Sequence, residues 1–330
     1  MSETAIGRPV TRRGLLAVGL AGGVSLVVGC GSATRSEAGW TFVDDRMHTV
    51  RLTRRPTRIV AYTTAASALY DWGVTPVGVF GVDPHEDPSL AGFPWGNVQI
   101  VGSVYGEIDP GALHSLNAEL IVSRWYPPPD DAPVFGFKDL KQERAIGAQV
   151  PIVGINGHVI ATRQIDRFRD LARALAVNTT SRRVGHERAE FVTAAANLSR
   201  VARRKSNLRI IAVSGDQNTM YVAKLGDDGD LALYAQRGVP LVSAKTSEPY
   251  WDKLPWKDAG KYPADAILYD TRSGVLPLRD AKGIPAFAEL PAVRANQIAA
   301  WQGDPPPSYQ RYTTTMNDLA KAIAGWHKVI

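Results

Sequence analysis

The sequence predicts an α/β protein in which two α/β lobes with parallel-type sheets are joined by one long helix. In 40–160 and again in 207–330, short apolar strands alternate with helical segments, which is the pattern of parallel β-α-β units. Between them, 161–206 carries apolar residues at helical spacing. The chain has 330 residues and 45% of them are hydrophobic, so two compact lobes, each with its own core, are expected.

The first 29 residues have the layout of a twin-arginine-type lipoprotein signal peptide. Arg8, Arg12 and Arg13 precede an apolar stretch at 15–29. A helix of about 15 residues would cover only about 22 Å of a hydrocarbon core that is ~30 Å thick. A cleaved export signal is therefore favoured over a permanent membrane anchor at 1–29.

Cys30 is the only cysteine of the chain and directly follows this apolar stretch. Residues 27–30 resemble the bacterial lipobox, so Cys30 is predicted to carry a thioether-linked diacylglycerol. The alternative is an incidental cysteine of the signal peptide. Residues 30–39 would form a lipidated tether, which places the mature protein on the extracytoplasmic face of the cell membrane.

The formal net charge of +6 at first suggests a polyanionic partner. Removal of 1–29 takes away three arginines and Glu3, which leaves 35 basic and 31 acidic residues, a net charge of +4. An exported protein with so modest an excess is not expected to bind nucleic acid, and basic runs such as 203–205 are interpreted as solvated charge.

The first lobe is predicted to begin with a short hairpin and to continue as alternating strands and helices. The hairpin covers 41–43 and 48–52, and the strands 58–61, 76–80, 118–122 and 150–153 alternate with helices at 65–72, 109–116 and 138–146.

The middle of the chain is predicted to be helical, with a continuous helix at 181–205 that would be about 37 Å long. The second lobe then begins. Its predicted strands are 208–213, 264–269 and 296–301, and its closing helix is 312–326.

Common catalytic and cofactor signatures are absent from the sequence. No nucleophile elbow, P-loop, G-x-G-x-x-G or H-E-x-x-H pattern occurs, and a lipid-bearing Cys30 could not act as a thiol nucleophile. The six histidines are scattered and none pairs with another at ligand spacing. The sequence therefore predicts neither an enzyme, nor a metal site, nor an intrinsic cofactor.

Aromatic and arginine side chains follow several predicted strands, where parallel α/β sheets form their ligand crevices. Arg124, Trp125 and Tyr126 precede a proline run, and we predict that they form a stiff ligand-binding loop. The other candidate ligand contacts are Tyr62, Tyr250, Trp251, Arg272 and Trp301. An alternative for Tyr250 and Trp251 is a helix packed against the sheet.

The order of several short segments resembles the iron-siderophore class of ABC-transporter substrate-binding proteins, which also includes cobalamin and haem binders. The segments are 56–60, 69–79, 101–103, 108–113, 116–122, 262–268 and 290–295. This resemblance covers nearly the whole mature chain. One departure is 214–229, which is unusually polar and rich in aspartate.

The resemblance implies a rigid interlobe helix, a shallow ligand cleft between the lobes, and a monomer that delivers its ligand to the permease and ATPase complex of an ABC importer. The ligand would be a ferric siderophore, for example of the hydroxamate type, which binds without a protein ligand to the iron. The resemblance also implies an acidic residue on each lobe that docks on the permease, and Glu86 and Glu248 are the candidates for this role.

Two other functions remain open. The same fold could bind haem or a corrinoid, for which an axial histidine or tyrosine would be needed. The second alternative is a surface hydrolase with dispersed catalytic residues, which would require a serine, a histidine and an acid that meet in space.

Overall fold

The computed structural model describes residues 39–127 and 131–330. The predicted signal peptide at 1–29, the lipidation site Cys30 and the tether as far as residue 38 lie outside the described residues. In the described part of the chain, none of the helices combines the length and the apolar character that a membrane span requires.

The first lobe contains an antiparallel hairpin and a sheet of five parallel strands, which confirms the predicted β-α-β units. The hairpin strands are β1 (Trp40–Val43) and β2 (Thr49–Leu52). The sheet strands are β3 (Ile59–Tyr62), β4 (Gly78–Phe80), β5 (Gln99–Gly102), β6 (Leu120–Trp125) and β7 (Ile152–Asn156). Their order in the sheet is β5-β4-β3-β6-β7.

Three helices connect these strands: α1 (Thr63–Asp71), α2 (Pro110–Ser115) and α3 (Leu140–Gly147). Two of them begin where an aspartate accepts a backbone N–H, Asp109 before α2 and Asp139 before α3. The two helices begin one and two residues after their predicted starts.

Two long helices follow, α4 (Ala161–Ala174) and α5 (Arg182–Arg204). The Ser181 side chain caps α5, and 23 residues at 1.5 Å per residue give a length of about 34 Å. At its first turn, Arg183 donates to the backbone carbonyl of Asp71 at 2.8 Å, and just after its end Lys205 donates to the carbonyl of Trp326 at 2.6 Å. The predicted long helix therefore runs from the first lobe to the end of the chain.

The second sheet is mixed, which corrects the expectation of a purely parallel-type sheet in this lobe. Its strands are β8 (Ile210–Gly215), β9 (Thr219–Ala223), β10 (Trp251–Pro255), β11 (Ala266–Asp270) and β12 (Ile298–Trp301), in the order β10-β9-β8-β11-β12. β8, β11 and β12 are parallel, whereas β9 is antiparallel to both of its neighbours. The Asp216 side chain accepts the backbone N–H groups of Asn218 and Thr219 at 2.7 and 2.8 Å, and this tight turn sends the chain straight back beside β8.

Helices cover the second sheet as well. They are α6 (Gly229–Gln236), the short α7 (Leu278–Ala281), α8 (Pro285–Ala288) and α9 (Pro291–Arg294), and the closing α10 (Tyr309–Gly325). The predicted α/β class with a long interlobe helix is confirmed.

Each lobe has an apolar cluster of its own, as predicted, and the two sheets in addition share a third cluster that was not predicted. Ile59 and Ala61 of β3 and Ile210 and Ala212 of β8 belong to a single apolar cluster, which also contains the buried faces of α4, α5 and α10. Side chains on the opposite face of each sheet, such as Val60 in the first lobe, pack into a cluster that is confined to their own lobe. Because packed cores deform little, a shared core holds the two sheets in a fixed arrangement.

Candidate functional site

A cavity of about 440 Å³ lies at the carboxyl ends of parallel strands from both sheets. Tyr62 ends β3 and Tyr126 follows β6 on one side, while Arg272 follows β11 and Gly303 follows β12 on the other. Strand ends of parallel sheets are the usual place for ligand crevices, and this volume is in the range of small-molecule sites.

An aromatic wall forms the first-lobe side of the cavity. The Phe135 ring has three tyrosine rings against it in edge-to-face geometry, with centroids at 5.1 Å for Tyr62, 5.3 Å for Tyr105 and 5.2 Å for Tyr126. Burial raises the pKa of the Tyr62 hydroxyl above its ordinary value, so this group remains protonated. The wall can thus cover the apolar parts of a ligand and still donate a hydrogen bond to it.

Arg272 supplies the positive charge on the second-lobe side. Its guanidinium binds Asp270, whose carboxylate is buried, through contacts of 2.7 to 3.1 Å, and it lies 6.0 Å from the Trp251 ring centroid. Burial by itself would lower the pKa of Arg272, but the charge and hydrogen bonds of Asp270, together with the charges of Asp228 and Asp304, outweigh burial and raise the pKa. The guanidinium is therefore permanently charged and held in place by Asp270 and Trp251.

Asp304 connects the lobes at the floor of the cavity. It follows β12 in the left-handed backbone region with φ of 60°, and its carboxylate accepts from Arg124 at 2.8 Å and from the Tyr126 hydroxyl. The Arg124 side chain is 0% exposed and also donates to Gln164 of α4. Burial opposes the charged form of Arg124, yet the charge of Asp304 and its hydrogen bond raise the pKa of Arg124, so the guanidinium stays charged.

A pair of carboxyl groups lies beneath the second-lobe wall. Asp228 lines the cavity, whereas Asp230 at the start of α6 is 0% exposed and accepts the Trp301 indole N–H at 2.6 Å. Burial raises the pKa of both groups, and the charge of Asp228 raises that of Asp230 further. Because a charge on one carboxyl disfavours a charge on the other, ionisation of both groups is costly.

His158 forms a second bridge between the lobes at the rim of the cavity. Its Nδ1 contacts the carbonyl of Pro127 and lies 3.1 Å from the Tyr250 hydroxyl, while its Nε2 lies 3.4 Å from the Asp227 carboxylate. Asp227 also binds Lys224 at 3.1 Å. Burial raises the pKa of Asp227, but the Tyr250 backbone N–H and Lys224 lower it by more, so this carboxylate stays ionised.

No protein-family model matches this sequence, and no curated protein matches it. Solved structures, in contrast, are similar to this chain. DesE, a ferric-siderophore receptor protein from Streptomyces coelicolor, is 28% identical, with a TM-score of 0.82 over 88% of this chain and 100% of DesE. In fold and sequence the chain is similar to this member of the iron-siderophore class of substrate-binding proteins.

Two more distant members of this class have the same fold. The FhuD protein from S. pseudintermedius is 17% identical, with a TM-score of 0.62 over 87% of this chain and 99% of FhuD. The triscatecholate siderophore binding protein FeuA from Bacillus subtilis, solved with ferri-bacillibactin, is 12% identical, with a TM-score of 0.63 over 86% of this chain and 97% of FeuA. At these identities the similarity concerns the fold alone.

Five of the eight predicted ligand-contact residues line the cavity. They are Tyr62, Tyr126, Tyr250, Trp251 and Arg272. Their contact with a ligand remains a prediction. The helix considered for Tyr250 and Trp251 is wrong, because Tyr250 precedes and Trp251 begins strand β10.

Arg124, Trp125 and Trp301 do not line the cavity, and the loop predicted at 124–126 is wrong for its first two residues. Because β6 extends to Trp125, these neighbours point to opposite faces of the sheet. Arg124 faces Phe168 of α4 at 6.0 Å, and Trp125 donates to the carbonyl of Ala132 within the core of its own lobe. Trp301 is buried and engaged with Asp230.

Cavity residues that the sequence analysis missed include Asp87, Tyr105, Asp228 and Asp304, and His158 at the rim was missed as well. His158 and Asp304 follow the ends of β7 and β12 within three residues, so the strand-end criterion that selected Tyr62 could also have found them. Asp228 and Tyr105 gave no such signal, since both lie on connecting segments.

Proposed function

We propose that the protein captures a ferric siderophore in this cavity and delivers it to the permease and ATPase of an ABC importer. The observation that carries this proposal is the aromatic-walled cavity at the strand ends of two sheets that share one core. DesE, a ferric-siderophore receptor protein, matches 88% of this chain and supports the same ligand class. The importer as partner is inferred from the family.

The chemistry of the cavity fits a preformed chelate. Tyrosine and tryptophan rings can cover an organic backbone, while hydroxyls and the Arg272 guanidinium can donate to the oxygens around iron. Within 39–127 and 131–330, no three His, Cys, Asp or Glu side chains form a group that could hold a metal ion. We therefore propose that the chelate supplies every ligand to the iron.

The direct test is titration of the protein with ferric hydroxamate, catecholate and carboxylate chelates, followed by tryptophan fluorescence. Trp251 lines the cavity, and a bound ferric complex is expected to quench it. A haem or corrinoid ligand would appear instead as a shifted absorption band. Failure of every ferric chelate to bind would overturn the proposal.

Trp251→Phe is expected to weaken binding of a ferric chelate about fivefold, because a smaller ring loses contact area and the cation–π partner of Arg272. Isothermal titration calorimetry measures this independently of fluorescence. Trp326→Phe is the matched control, since Trp326 ends α10 and does not line the cavity. Equal affinities of the two variants would place the ligand elsewhere.

We further propose a binding protein without enzymatic turnover. The named functions of DesE and FeuA, a receptor and a binding protein, support this. In the described part of the chain, His158 and Asp227 approach each other, but their third partner is the Tyr250 hydroxyl and not a serine. Turnover of an ester panel by the purified protein would contradict the proposal.

Membrane attachment through Cys30, an extracytoplasmic location and a monomeric state are proposals that rest on the sequence alone. We expect Cys30→Ser to move the protein from the membrane fraction to the soluble fraction of its host. An unchanged membrane fraction would show that Cys30 carries no anchor.

Docking on the permease through Glu86 and Glu248 is likewise a proposal. Both side chains are exposed, Glu86 in the first lobe and Glu248 in the second, as such a role requires.

A further inference from the structure

The cavity has an excess of acidic side chains on its wall. Among the described residues, one guanidinium lines it, that of Arg272, whose charge is already matched by Asp270. Four carboxyl groups line it: Asp87, Asp227, Asp228 and Asp304. A ligand that enters the cavity therefore meets a negative surrounding.

The four acids differ in how their charge is compensated. Asp304 is paired with Arg124, and Asp227 is paired with Lys224 and His158. The remaining two, Asp87 and Asp228, have no salt bridge within the described residues. Burial raises the pKa of Asp228, which favours the neutral form of that group. This leaves Asp87 as the uncompensated carboxylate that a ligand can reach.

Asp87 lies on the first-lobe wall together with a second polar group that lacks a partner. One carboxylate oxygen of Asp87 accepts the backbone N–H of Ser89 at 2.8 Å. The other carboxylate oxygen accepts no hydrogen bond from the described residues. Burial is the main cause that raises the pKa of Tyr62, and the charge of Asp87 raises it further. The Asp87 carboxylate therefore lies near the Tyr62 hydroxyl. Thr64 also lines the cavity, is 8% exposed, and its Oγ1 has no hydrogen-bond partner among the described residues. A nearly buried hydroxyl without a partner is uncommon unless a ligand or water completes the site.

We propose that the cavity selects ferric chelates of neutral or positive net charge, and that Asp87 binds a protonated amine of the chelate. This deepens the proposed function and rests on it. A ferric tris-hydroxamate is neutral, and a free terminal amine makes it cationic, whereas a ferric tris-catecholate carries several negative charges. Like charges at close range in a partly desolvated cavity repel, so an anionic chelate is disfavoured and an ammonium group is attracted.

Three ferric chelates with one linear tris-hydroxamate skeleton test this inference. The first is ferrioxamine B, which has a free terminal amine; the second is its neutral N-acetyl derivative, and the third its anionic N-succinyl derivative. We expect affinity to fall about fivefold at each step, in that order. The differences should shrink when the ionic strength is raised from low salt to about 0.5 M, because salt screens partly exposed charges.

Asp87→Asn tests the assigned carboxylate. Asparagine keeps an oxygen for the Ser89 N–H, and we expect the affinity ratio of the amine over the N-acetyl chelate to fall from about five to about one. Asp83→Asn is the matched control, because Asp83 lies on the same loop, is exposed and does not line the cavity. That variant should leave the ratio as in the unaltered protein.

The outcomes separate this inference from the proposed function. Equal affinity for the three chelates, or tighter binding of a tris-catecholate, overturns the charge selection and leaves siderophore binding intact. An unchanged ratio in Asp87→Asn overturns the role of Asp87. Failure of all ferric chelates to bind overturns both.

Discussion

Replacement of Asp304 by alanine is expected to lower the free energy of unfolding by about 3–5 kcal/mol. The substitution removes the counter-charge of Arg124, whose side chain is 0% exposed. Gln164 would be its remaining hydrogen-bond partner among the described residues. A buried guanidinium without a carboxylate is costly, because neither water nor a neighbouring anion stabilises its charge. Urea denaturation at neutral pH, followed by circular dichroism, measures the change.

Two controls separate the buried charge from a general effect of alanine. Glu289→Ala breaks the pair between Arg294 and Glu289, whose side chains are 63% and 65% exposed, and should change stability by less than about 0.5 kcal/mol. Arg124→Met combined with Asp304→Ala removes both charges and should recover about 2 kcal/mol of the loss. A loss below about 1 kcal/mol for Asp304→Ala, or a double variant as unstable as the single one, would contradict this account.

The parallel strands and the long helix could be predicted from the sequence. The apolar run that became β3 is bounded by Pro56 and by the start of α1, and Ser181 marks the start of α5 as a capping residue. The antiparallel hairpin of β8 and β9 was missed, because Asp216 and its neighbours were interpreted only as a polar segment. They in fact form the tight turn that begins the hairpin.

Site residues could be predicted where they directly follow a strand. The prediction was less successful where the exact end of the strand decides whether a side chain faces the cavity or the core. Tyr62 and Tyr126 were placed by the strand-end criterion, and both line the cavity. Arg124 was misplaced because β6 extends three residues beyond its predicted end, which turns that side chain into the core. A shared core could not be predicted either, since the alternation of apolar residues in a strand does not reveal which elements cover each face.

Asp230→Asn is expected to raise the free energy of unfolding by about 1–2 kcal/mol at pH 7 and to have almost no effect near pH 4. The Asp230 carboxyl is 0% exposed, and its burial beside Asp228 raises its pKa well above the ordinary value. In the unfolded chain it ionises near pH ~3.9, so between that pH and the raised folded pKa the folded protein binds more protons. The contribution of this group to stability is therefore complete at acid pH and is lost as pH rises through that window.

Asparagine removes this loss because it cannot ionise, while its oxygen can still accept the indole N–H of Trp301. Thermal or urea unfolding of both proteins between pH 4 and pH 8 should show curves that meet at the acid end and separate as pH rises. Asp216→Asn is a control of opposite sign: its hydrogen bond from Tyr221 lowers the pKa of Asp216, so that carboxylate stabilises the fold at neutral pH and stops doing so in acid. A stability gain in Asp230→Asn that is independent of pH would show that the proton on the Asp228–Asp230 pair is not its cause, and a loss at pH 7 would show that Trp301 needs a charged acceptor.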